Sequence, residues 1–502
     1  MSAPATELPR AALLAQAGAT QRWDVIIIGG GATGLGVALQ AAAEGLRVLL
    51  LEAGDFASGT SSRSTKLLHG GVRYLAQGHL GLVRDALSER QTVIRNAPTL
   101  AHPLGFVLQT YGWHEAWKYR LGLHLYDLLS GDASLGKTGW VAARQAIPQW
   151  PQLKPDALRG LVTYWDAQFD DAALGLALAQ TAHRRGALLL NHCAVQSVEV
   201  SRGRVVGVRW ADRLEQESHL ALADCVINAA GVWIDALRPS AVAPSVTLSR
   251  GSHLVVDRSF WPHDQGLIVP QTRDGRVMFV LPWLGRVMLG TTDVPCAAPT
   301  VAPRPEADEI DFILQEAARH LTRAPQVSDI SSMWAGLRAL VKPVSGSDTP
   351  TRQIGREHAI WQDSDGLVCV AGGKWTTYRL MAEQVLAFCR QAGHWPHAPG
   401  QVSTRTLSLE PGQPDRAVAQ ERGWPMGLSP DFIRWHIRHT QACTVEDVLA
   451  RRSRLLFVDA RQAHDIAPEV ARVMHEAGVS GVGLDAFLTL ARQHWPQTPD
   501  PH

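Results

Sequence analysis

The stretch that decides the fold is residues 23–55, WDVIIIGGGATGLGVALQAAAEGLRVLLLEAGD. A short β-branched run at 25–28 is followed at once by glycines, then by small helix-forming residues and by a second apolar run that ends at Glu52. This pattern predicts a strand, a tight turn, a helix and a second strand within about 30 residues. We therefore expect an α/β fold with a Rossmann-like nucleotide-binding domain.

Three glycines in this stretch have the spacing G-x-G-x-x-G, namely Gly29, Gly31 and Gly34, and Glu52 stands 23 positions after the first of them. The first glycine permits the tight turn, the second lets backbone amides reach a pyrophosphate, and the third lets the helix approach the strand. The acidic residue accepts hydrogen bonds from a ribose, and the helix N-terminus faces the diphosphate. The motif is weak alone, but in this context it predicts dinucleotide binding.

Composition excludes several classes of protein. With 502 residues, of which 46% are hydrophobic, the chain is longer than a single hydrophobic core usually accommodates, so more than one domain is expected. Its 48 Lys and Arg are balanced by 47 Asp and Glu, which argues against a basic surface for nucleic acid. Six cysteines form no C-x-x-C pair, so we expect no disulfide frame and no metal site, but reduced thiols in a cytoplasmic protein. No apolar run reaches the length that spans a bilayer.

Residues 224–233 predict another buried strand that ends in small residues, and residues 366–389 repeat the scheme of strand, glycine turn and helix, with the helix beginning near Thr376. Long segments separate them, so a second domain is inserted into the first, and the apolar runs SHLVVD, GRVMFVLPW and RVMLGTTDV predict that it holds an antiparallel sheet. The predicted parts are a mobile lead (1–22), a discontinuous nucleotide-binding domain (23–75, 166–242, 356–395), an inserted substrate or membrane-facing domain (76–165, 243–355) and a C-terminal helical domain (400–502).

Residues 111–129 interleave aromatic side chains with cations, as in Trp113, Trp117, Lys118 and Arg120. Such an amphipathic stretch can seat a protein at a lipid interface. It can equally be a helix packed on the rest of the protein. Both interpretations stay open on the sequence.

Only one glycine fingerprint stands between a strand and a helix. Reductases that pass electrons between a flavin and a nicotinamide commonly carry two. If the single site holds flavin, electrons enter from a small reduced substrate and leave to an acceptor such as a quinone or oxygen.

Five segments together resemble the FAD-dependent glycerol-3-phosphate dehydrogenases, within the D-amino-acid-oxidase-like flavoproteins: DVIIIGGGATGLG, GTSSRSTKLLHGGVRYL, GRVMFVLPWLGRVMLGTTDVP, WAGLRAL and VAGGKWTTYRLMAE. The resemblance covers about 24–383. It implies FAD as cofactor, oxidation of sn-glycerol 3-phosphate to dihydroxyacetone phosphate, a quinone acceptor, peripheral contact with the cytoplasmic face of the inner membrane and assembly as a homodimer. The fold would be Rossmann-like with an inserted antiparallel-sheet domain and a C-terminal helical cap.

The resemblance also implies which residues bind the cofactor. The segment TSSRSTKLLHGGVRYL, 60–75, would return beneath the flavin, with its hydroxyls on the pyrophosphate and ribityl chain and its next residues near the ring. A solvated surface loop is the alternative. The expected cofactor-binding residues are Gly29, Gly31, Gly34, Glu52, Thr60, Ser61, Ser62, Thr65, Lys66, Val195, Gly231, Gly373 and Thr376.

Oxidation of a secondary alcohol requires a phosphate grip and a group that takes the hydroxyl proton. By resemblance, the phosphate is held by Arg338, Arg73, Arg356 and Lys374, although each could instead form a surface ion pair. His69 is the expected proton acceptor, or else only a hydrogen-bonding neighbour of the flavin. Tyr74 would orient the substrate or pack in the core. This chain has Arg338-Ala339 where the family has Arg-Pro, which leaves the phosphate grip open, and Trp375 could narrow the cavity.

Three other functions compete with this interpretation. The chain could be an oxidase that uses oxygen, a flavin-binding protein without redox turnover, or an enzyme for another small anionic substrate such as an amino or hydroxy acid.

Overall fold

Two β-sheets carry the fold in the computed structural model, which describes residues 7–71, 80–239, 243, 245–342, 357–395, 402–411 and 424–496. The strands are β1 (Trp23–Ile28), β2 (Val48–Leu51), β3 (Leu67–Leu68), β4 (Ala101–Thr110), β5 (Gly139–Ala142), β6 (Gly160–Phe169), β7 (Leu188–Leu190), β8 (Cys193–Ser201), β9 (Arg204–Asp212), β10 (Ser218–Asn228), β11 (Val246–Asp257), β12 (Gly266–Val269), β13 (Met278–Trp283), β14 (Arg286–Gly290), β15 (Val294–Cys296), β16 (Ser332–Val341), β17 (Ala359–Gln362) and β18 (Val368–Ala371). The helices are α1 (Arg10–Ala19), α2 (Ala32–Ala43), α3 (Leu80–Asn96), α4 (Trp113–Ser130), α5 (Ala143–Gln149), α6 (Asp171–Arg184), α7 (Ala307–His320), α8 (Tyr378–Gln391), α9 (Pro430–Thr440), α10 (Leu455–Val458), α11 (Ala460–Glu476) and α12 (Leu484–Arg492).

The first sheet has the strand order β17-β18-β10-β1-β2-β7 and is parallel except for the β17–β18 pair. Its central strands are buried on both faces, as parallel strands covered by helices are. An antiparallel ribbon, β8–β9, extends β10, and its turn places Arg202 and Gly203 at positive φ. The Rossmann-like α/β fold is therefore confirmed.

The second sheet runs β15-β11-β14-β13-β12-β4-β6-β3, with β16 beside β11 and β5 beside β6. All of its pairs are antiparallel except β4 with β12. This confirms the antiparallel sheet expected from the apolar runs after residue 250. Leu67–Leu68 and the end of β6, which the sequence assigns to the nucleotide-binding segments, pair within this second sheet. The domain boundaries themselves stay a prediction.

Helix packing divides the hydrophobic interior into clusters. One face of the first sheet packs on α2, α6 and α8 through side chains such as Val25, Ile27 and Leu35. The C-terminal helices pack on the second sheet, where Phe432 and Phe457 share a cluster with Trp334. The C-terminal helical region predicted from the sequence is thus observed, with residues 447–452 wound as a π-helix.

The predicted mobile lead is wrong for residues 7–22. Helix α1 buries Leu13 and Ala17, and the Arg10 guanidinium donates to both oxygens of the buried Asp212 carboxylate at 2.8 Å. The alanine-rich sequence gave no sign of this contact because its partner lies 202 residues away.

Helix α4 is the expected aromatic helix of residues 111–129. Its buried side is short, with Leu123 and Tyr126 inside, whereas Trp113 and Trp117 are 61% and 65% exposed. Among the described residues, no helix combines the length and the apolar character that crossing a membrane requires.

Candidate active site

The glycine turn lies between the end of β1 and the start of α2. Gly29 has a φ of +105°, and a Cβ there would meet the Ala229 carbonyl oxygen at 2.7 Å. A Cβ on Gly34 would lie 1.9 Å from the Gly29 oxygen. Gly31 is the residue before the helix, so the first N–H groups of α2 are directed at the turn. The close backbone approach that the motif predicts is therefore present.

Glu52 closes the other side of the turn. Its carboxylate accepts the N–H of Gly30 at 2.6 Å and of Gly54 at 2.7 Å. Burial raises the pKa of Glu52, and the two N–H groups oppose that shift by favouring the carboxylate. The acid is held rigidly at the end of β2, where a nucleotide ribose is expected.

Residues 60–66, called loop 60–66 below, lie beside the glycine turn. The Ser61 hydroxyl accepts the Ala32 N–H at 2.9 Å, and the Ser61 carbonyl accepts the Trp375 indole N–H at 2.8 Å. Thr60 donates its hydroxyl to the Leu337 carbonyl on β16 at 2.5 Å. The loop is thus tied to both sheets, and Trp375 braces it from the core, where its exposure is 9%.

Lys66 is fully buried and has a φ of +63°, which is uncommon for a residue with a side chain. Its ammonium lies 2.6 Å from the Asp171 carboxylate and 2.9 Å from the Ser62 carbonyl. Arg454 of the C-terminal region donates to the same carbonyl at 2.7 Å and lies 3.2 Å from Asp171. Burial lowers the pKa of Lys66 to about 7, against the opposing effect of Asp171. The side chain is committed to this network.

His69 and Gly70 follow the loop and contact two helices. The His69 N–H donates to the Thr376 hydroxyl at 3.2 Å. The Gly70 N–H donates to the Tyr126 hydroxyl at 2.8 Å, and Tyr126 donates in turn to Asp166 at 2.9 Å. A Cβ on Gly70 would meet Leu87 and Tyr126 at 2.8 Å, so only glycine fits here.

Burial raises the pKa of Asp166 to about 6, while Arg90, Tyr126 and Lys374 lower it. Lys374 therefore lies within electrostatic range of the Asp166 carboxylate. Tyr126 links that carboxylate to the Gly70 N–H through two hydrogen bonds. Lys374 precedes the 3-10 turn Trp375–Thr377 that leads into α8. The helix start predicted near Thr376 is observed.

Arg338 lies on β16, directly opposite Ser249 of β11. Its guanidinium donates to the Thr292 carbonyl at 3.2 Å and to the Thr291 hydroxyl at 3.1 Å. A Cβ on Gly251 would lie 2.2 Å from the guanidinium, so the glycine makes room for it. The side chain is 21% exposed, which leaves part of the guanidinium open.

His253 is a site residue that the sequence reasoning missed. Its Nε2 lies 3.0 Å from the Thr65 hydroxyl, its ring stacks on Trp334 at 5.3 Å, and its Nδ1 has no partner among the described residues. Burial lowers the pKa of His253 well below its usual value, and the cations Lys66 and Arg338 add to this. The imidazole is therefore neutral. The only sequence signal was a histidine inside the apolar run SHLVVD.

The remaining predicted residues fall into two groups. Gly231 (φ +58°) and Gly373 (φ +84°) adopt positive φ, and Gly231 follows by two residues the Ala229 that abuts Gly29. Val195 lies on β8, at its third residue. Arg73, Tyr74 and Arg356 lie outside the described residues.

Two groups of side chains among the described residues have the spacing of metal ligands: His192, Cys443 and Asp447 form one, and Glu306, Asp308 and Glu309 form the other. The aspartate of the first group is already bound by other side chains of the protein. In the group His192, Cys443 and Asp447, the aspartate accepts from His192 and from the Arg451 guanidinium at 2.7 Å. A metal cation at this group would lie next to the positively charged Arg451 guanidinium, which repels it. The six cysteines are free in the structure.

Comparison with known proteins identifies the family. A family profile described as FAD dependent oxidoreductase matches residues 24–386, and one described as the C-terminal domain of alpha-glycerophosphate oxidase matches 370–478. The chain belongs to the FAD-dependent oxidoreductase family.

Within this family the relatives are glycerol-3-phosphate dehydrogenases. A probable mitochondrial glycerol-3-phosphate dehydrogenase of Caenorhabditis elegans is 36% identical over 98% of this chain and 75% of its own length. A mitochondrial one of Arabidopsis thaliana is 41% identical over 78% of this chain and 64% of its own length. The glycerol-3-phosphate dehydrogenase of Bacillus halodurans, solved with FAD, is 27% identical with a TM-score of 0.77, and 97% of each chain is covered. The resemblance stated from the motifs is confirmed.

The donor set fits FAD, the cofactor of this family. The backbone at Gly29 and Gly34 has no space for a Cβ, the first N–H groups of α2 supply positive potential for a diphosphate, and the Glu52 carboxylate stands at the end of β2. Thr65 of loop 60–66 contacts His253, which is close enough to Arg338 for the guanidinium to lower its pKa. The chain is a flavoprotein oxidoreductase, and its predicted FAD site has the required backbone geometry.

Proposed function

We propose that this protein oxidises sn-glycerol 3-phosphate to dihydroxyacetone phosphate and passes the electrons to a quinone. The observation that carries the proposal is the position of Arg338, a partly open guanidinium that shares β16 with Leu337, the residue that anchors loop 60–66. A cation beside the cofactor-binding loop suits an anionic substrate whose carbinol must lie next to the flavin. The names of the relatives support the same substrate.

The phosphate grip is assigned to Arg338 with Lys374, and by sequence also to Arg73 and Arg356. An arginine fork matches two phosphate oxygens, and its charge-assisted hydrogen bonds are stronger than those between neutral groups. Thr291 and Thr292 hold the Arg338 guanidinium by the edge that carries Nη1 and Nη2. This fixes the plane of the fork before substrate binds.

Proton removal from the substrate hydroxyl is assigned to His69. Its backbone N–H donates to the Thr376 hydroxyl, which places His69 beside the 375–377 turn. His253 is a second candidate, because it is neutral and its Nδ1 has no partner among the described residues. A neutral imidazole can accept the proton as the carbinol hydrogen leaves as hydride. Bound FAD supplies the two-electron acceptor for that hydride.

A membrane-bound acceptor is supported by the exposed side of α4, called the α4 apolar face below. Its members recur every three or four positions and therefore share one side of the helix. They are Trp113, Trp117, Leu121, Leu125 and Leu128. Residues 80–160 also hold nine Lys and Arg against six Asp and Glu. An apolar strip flanked by cations suits the surface of a membrane with anionic lipids.

The other end of α4 leads back to the site. Tyr126, on the buried side of its last turns, donates to Asp166 and accepts from Gly70. A bilayer on the α4 apolar face would thus bring a lipid-soluble quinone close to the flavin. Location on the cytoplasmic face of the inner membrane and assembly as a homodimer remain predictions; light scattering of the purified protein tests the second.

Steady-state assays test the proposed activity. We expect turnover with sn-glycerol 3-phosphate and a water-soluble quinone, and none with glycerol or lactate, because neither carries a phosphate for Arg338. Hydrogen peroxide released under air at the rate of substrate loss would instead identify an oxidase. Equal turnover of lactate would contradict the substrate assignment.

Membrane contact has its own test. The double variant Trp117→Ser/Leu121→Ser should lose flotation with lipid vesicles while its flavin reduction by soluble substrate stays unchanged. Unchanged flotation would contradict the role of the α4 apolar face.

A further inference from the structure

A cavity of about 230 Å³ lies where α4 begins and α7 ends, and it is called the α4–α7 cavity below. Its polar lining includes Gln109, Tyr111, Arg273, Arg319 and His320. A second cleft shares three of these residues and adds Lys154. Neither belongs to the site described above.

The distance from the active site follows from β4. The first residue of this strand pairs with Phe169, whose N–H donates to the Lys66 carbonyl, while its last residue is next to Tyr111. A strand of 10 residues spans about 30 Å. The cavity is therefore too far from the flavin to hold either substrate or the electron acceptor during transfer.

One buried hydrogen-bond donor in the cavity wall lacks an acceptor. Gln109 is 2% exposed, and its amide oxygen lies 2.8 Å from His320 Nδ1, whereas its Nε2 has no partner among the described residues. Tyr111 places its hydroxyl 3.2 Å from the same Nδ1. In the tautomer whose Nδ1–H donates to Gln109, Nδ1 cannot accept from Tyr111, and the exposed Tyr111 hydroxyl is then a second donor. A buried donor without an acceptor, as at Gln109 Nε2, favours a ligand with acceptor oxygens.

Cations surround these donors. Arg273 and Arg319 contact the same oxygen of the buried Glu316, at 2.7 and 3.4 Å, and both are about half exposed. Lys154, in the adjoining cleft, has no ion-pair partner among the described residues. Two carboxylates also face the clefts, Glu115 and Asp156.

The Glu115 carboxylate is already in use. It accepts the backbone N–H groups of Tyr111 and Gly112 ahead of α4 at 3.0 and 3.1 Å. The lining therefore offers an oxyanion three cations, Lys154, Arg273 and Arg319, together with the donors of Gln109 and Tyr111, and the charges of Glu115 and Asp156 favour a singly charged ligand over a doubly charged one. Phosphate diesters have this charge and this number of acceptor oxygens.

The source of the phosphate follows from what lies beside the cavity. Tyr111 precedes Trp113 by two residues, and Trp113 is the first member of the α4 apolar face. Tryptophan side chains favour the interfacial layer of a bilayer, at the depth of the lipid phosphates. We propose that the α4–α7 cavity binds the headgroup phosphate of an anionic phospholipid while the α4 apolar face enters the adjoining acyl layer. This inference rests on the proposed membrane contact of α4.

Vesicle flotation of the FAD-loaded protein tests the inference. The probes are vesicles of phosphatidylcholine alone and of phosphatidylcholine with phosphatidylglycerol. The variant Lys154→Gln/Arg319→Gln should bind the mixed vesicles about 20-fold more weakly than the unmodified protein, since each cation at a membrane surface contributes about 5-fold. Its reduction by soluble substrate should be unchanged, because neither residue belongs to the active site.

A matched variant separates a built site from general attraction. Lys137→Gln/Arg144→Gln removes the same charge from exposed positions of the same segment that do not line the cavity, and should weaken binding by less than about 5-fold. Gln109→Leu, which removes a donor without changing charge, should also weaken binding to the mixed vesicles. Equal losses in both charge variants, with no effect of Gln109→Leu, overturn the inference.

Two further outcomes are distinguishable. If the unmodified protein floats with no vesicle, the membrane contact itself fails. If it floats and the Lys154→Gln/Arg319→Gln variant floats equally well, only the cavity inference fails. Inorganic phosphate without vesicles should leave Trp113 fluorescence unchanged; a saturable change that this variant abolishes would assign the cavity to free phosphate and overturn the lipid source.

Discussion

The ammonium of Lys66 and the carboxylate of Asp171 lie 2.6 Å apart with neither side chain exposed, and Arg454 joins them from the C-terminal region. One carboxylate thus serves two buried cations directly behind Thr65, whose hydroxyl contacts His253. Arg454 therefore ties the C-terminal region to loop 60–66 from behind.

Replacing Arg454 should destabilise the protein. Arg454→Met leaves the Ser62 carbonyl and the Asp171 carboxylate each short of a donor, and breaking a buried ion pair costs about 3–5 kcal/mol. Urea unfolding of the FAD-loaded protein measures the loss.

Arg63 is the matched control for that prediction. It is 5% exposed against 0% for Arg454, its Nε and Nη1 have no hydrogen-bond partner among the described residues, and burial lowers its pKa to about 10. Arg63→Met removes an uncompensated buried charge, so the free energy of unfolding should stay the same or rise. A loss as large as that of Arg454→Met would show that Arg63 has an essential partner.

Arg338→Ala should weaken apparent affinity for glycerol 3-phosphate about 100-fold, which corresponds to roughly 3 kcal/mol for one charged hydrogen-bonding partner. The KM from steady-state kinetics measures the effect. Arg472→Ala, which removes an exposed arginine paired on α11, is the control and should change nothing. A KM unchanged in Arg338→Ala would exclude this residue from the phosphate grip.

Cofactor binding should depend on Gly34. A Cβ there would lie 1.9 Å from a backbone oxygen, so Gly34→Ala must displace either the strand or the helix at the turn. We expect protein that purifies without the yellow colour of bound FAD. Gly18→Ala on α1, where a Cβ meets nothing within 4 Å, should retain the colour and gain up to about 1 kcal/mol of stability.

Acid sensitivity should depend in part on His494. Burial lowers its pKa to about 3, and Arg63 adds to this, so the folded protein keeps it neutral while the unfolded chain protonates it below about pH 6.5. Between about pH 6.5 and 3 the unfolded state binds the extra proton, and stability falls as the pH falls, by at most about 1.4 kcal/mol per pH unit.

The pH dependence of unfolding in His494→Gln measures this contribution. The variant should show a shallower loss of stability than the unmodified protein between about pH 6 and 4. His475→Gln, at an exposed position of α11, should reproduce the unmodified slope. Parallel slopes in all three proteins would mean that His494 is accessible to protons in the folded state.

The comparison of sequence with structure separates local from distant determinants. The glycine turn, the parallel sheet and the helix after Thr377 could be predicted because each is determined by residues adjacent in the chain. The resemblance assigned both the segment 60–75 and Thr376 to the cofactor site, and the structure brings the His69 N–H of that segment to the Thr376 hydroxyl.

What the sequence could not predict depends on partners far along the chain. Lys66 was expected near the flavin ring, yet its ammonium pairs with an aspartate 105 residues away and shares it with an arginine 283 residues beyond. His253 looked like one more residue of an apolar strand, because nothing local marks which face of β11 meets Thr65. The position of helix α1 likewise depends on Asp212, which accepts hydrogen bonds from Arg10 and lies 202 residues away.

The central claim is that one FAD site faces a pocket whose cations hold a phosphorylated alcohol. Anaerobic titration of the yellow protein, followed by the flavin absorbance near 450 nm, tests it most directly. Glycerol 3-phosphate should bleach the band at stoichiometric amounts, whereas glycerol and lactate should leave it unchanged. A protein that takes up no FAD, or a band that glycerol 3-phosphate does not bleach, would contradict the account.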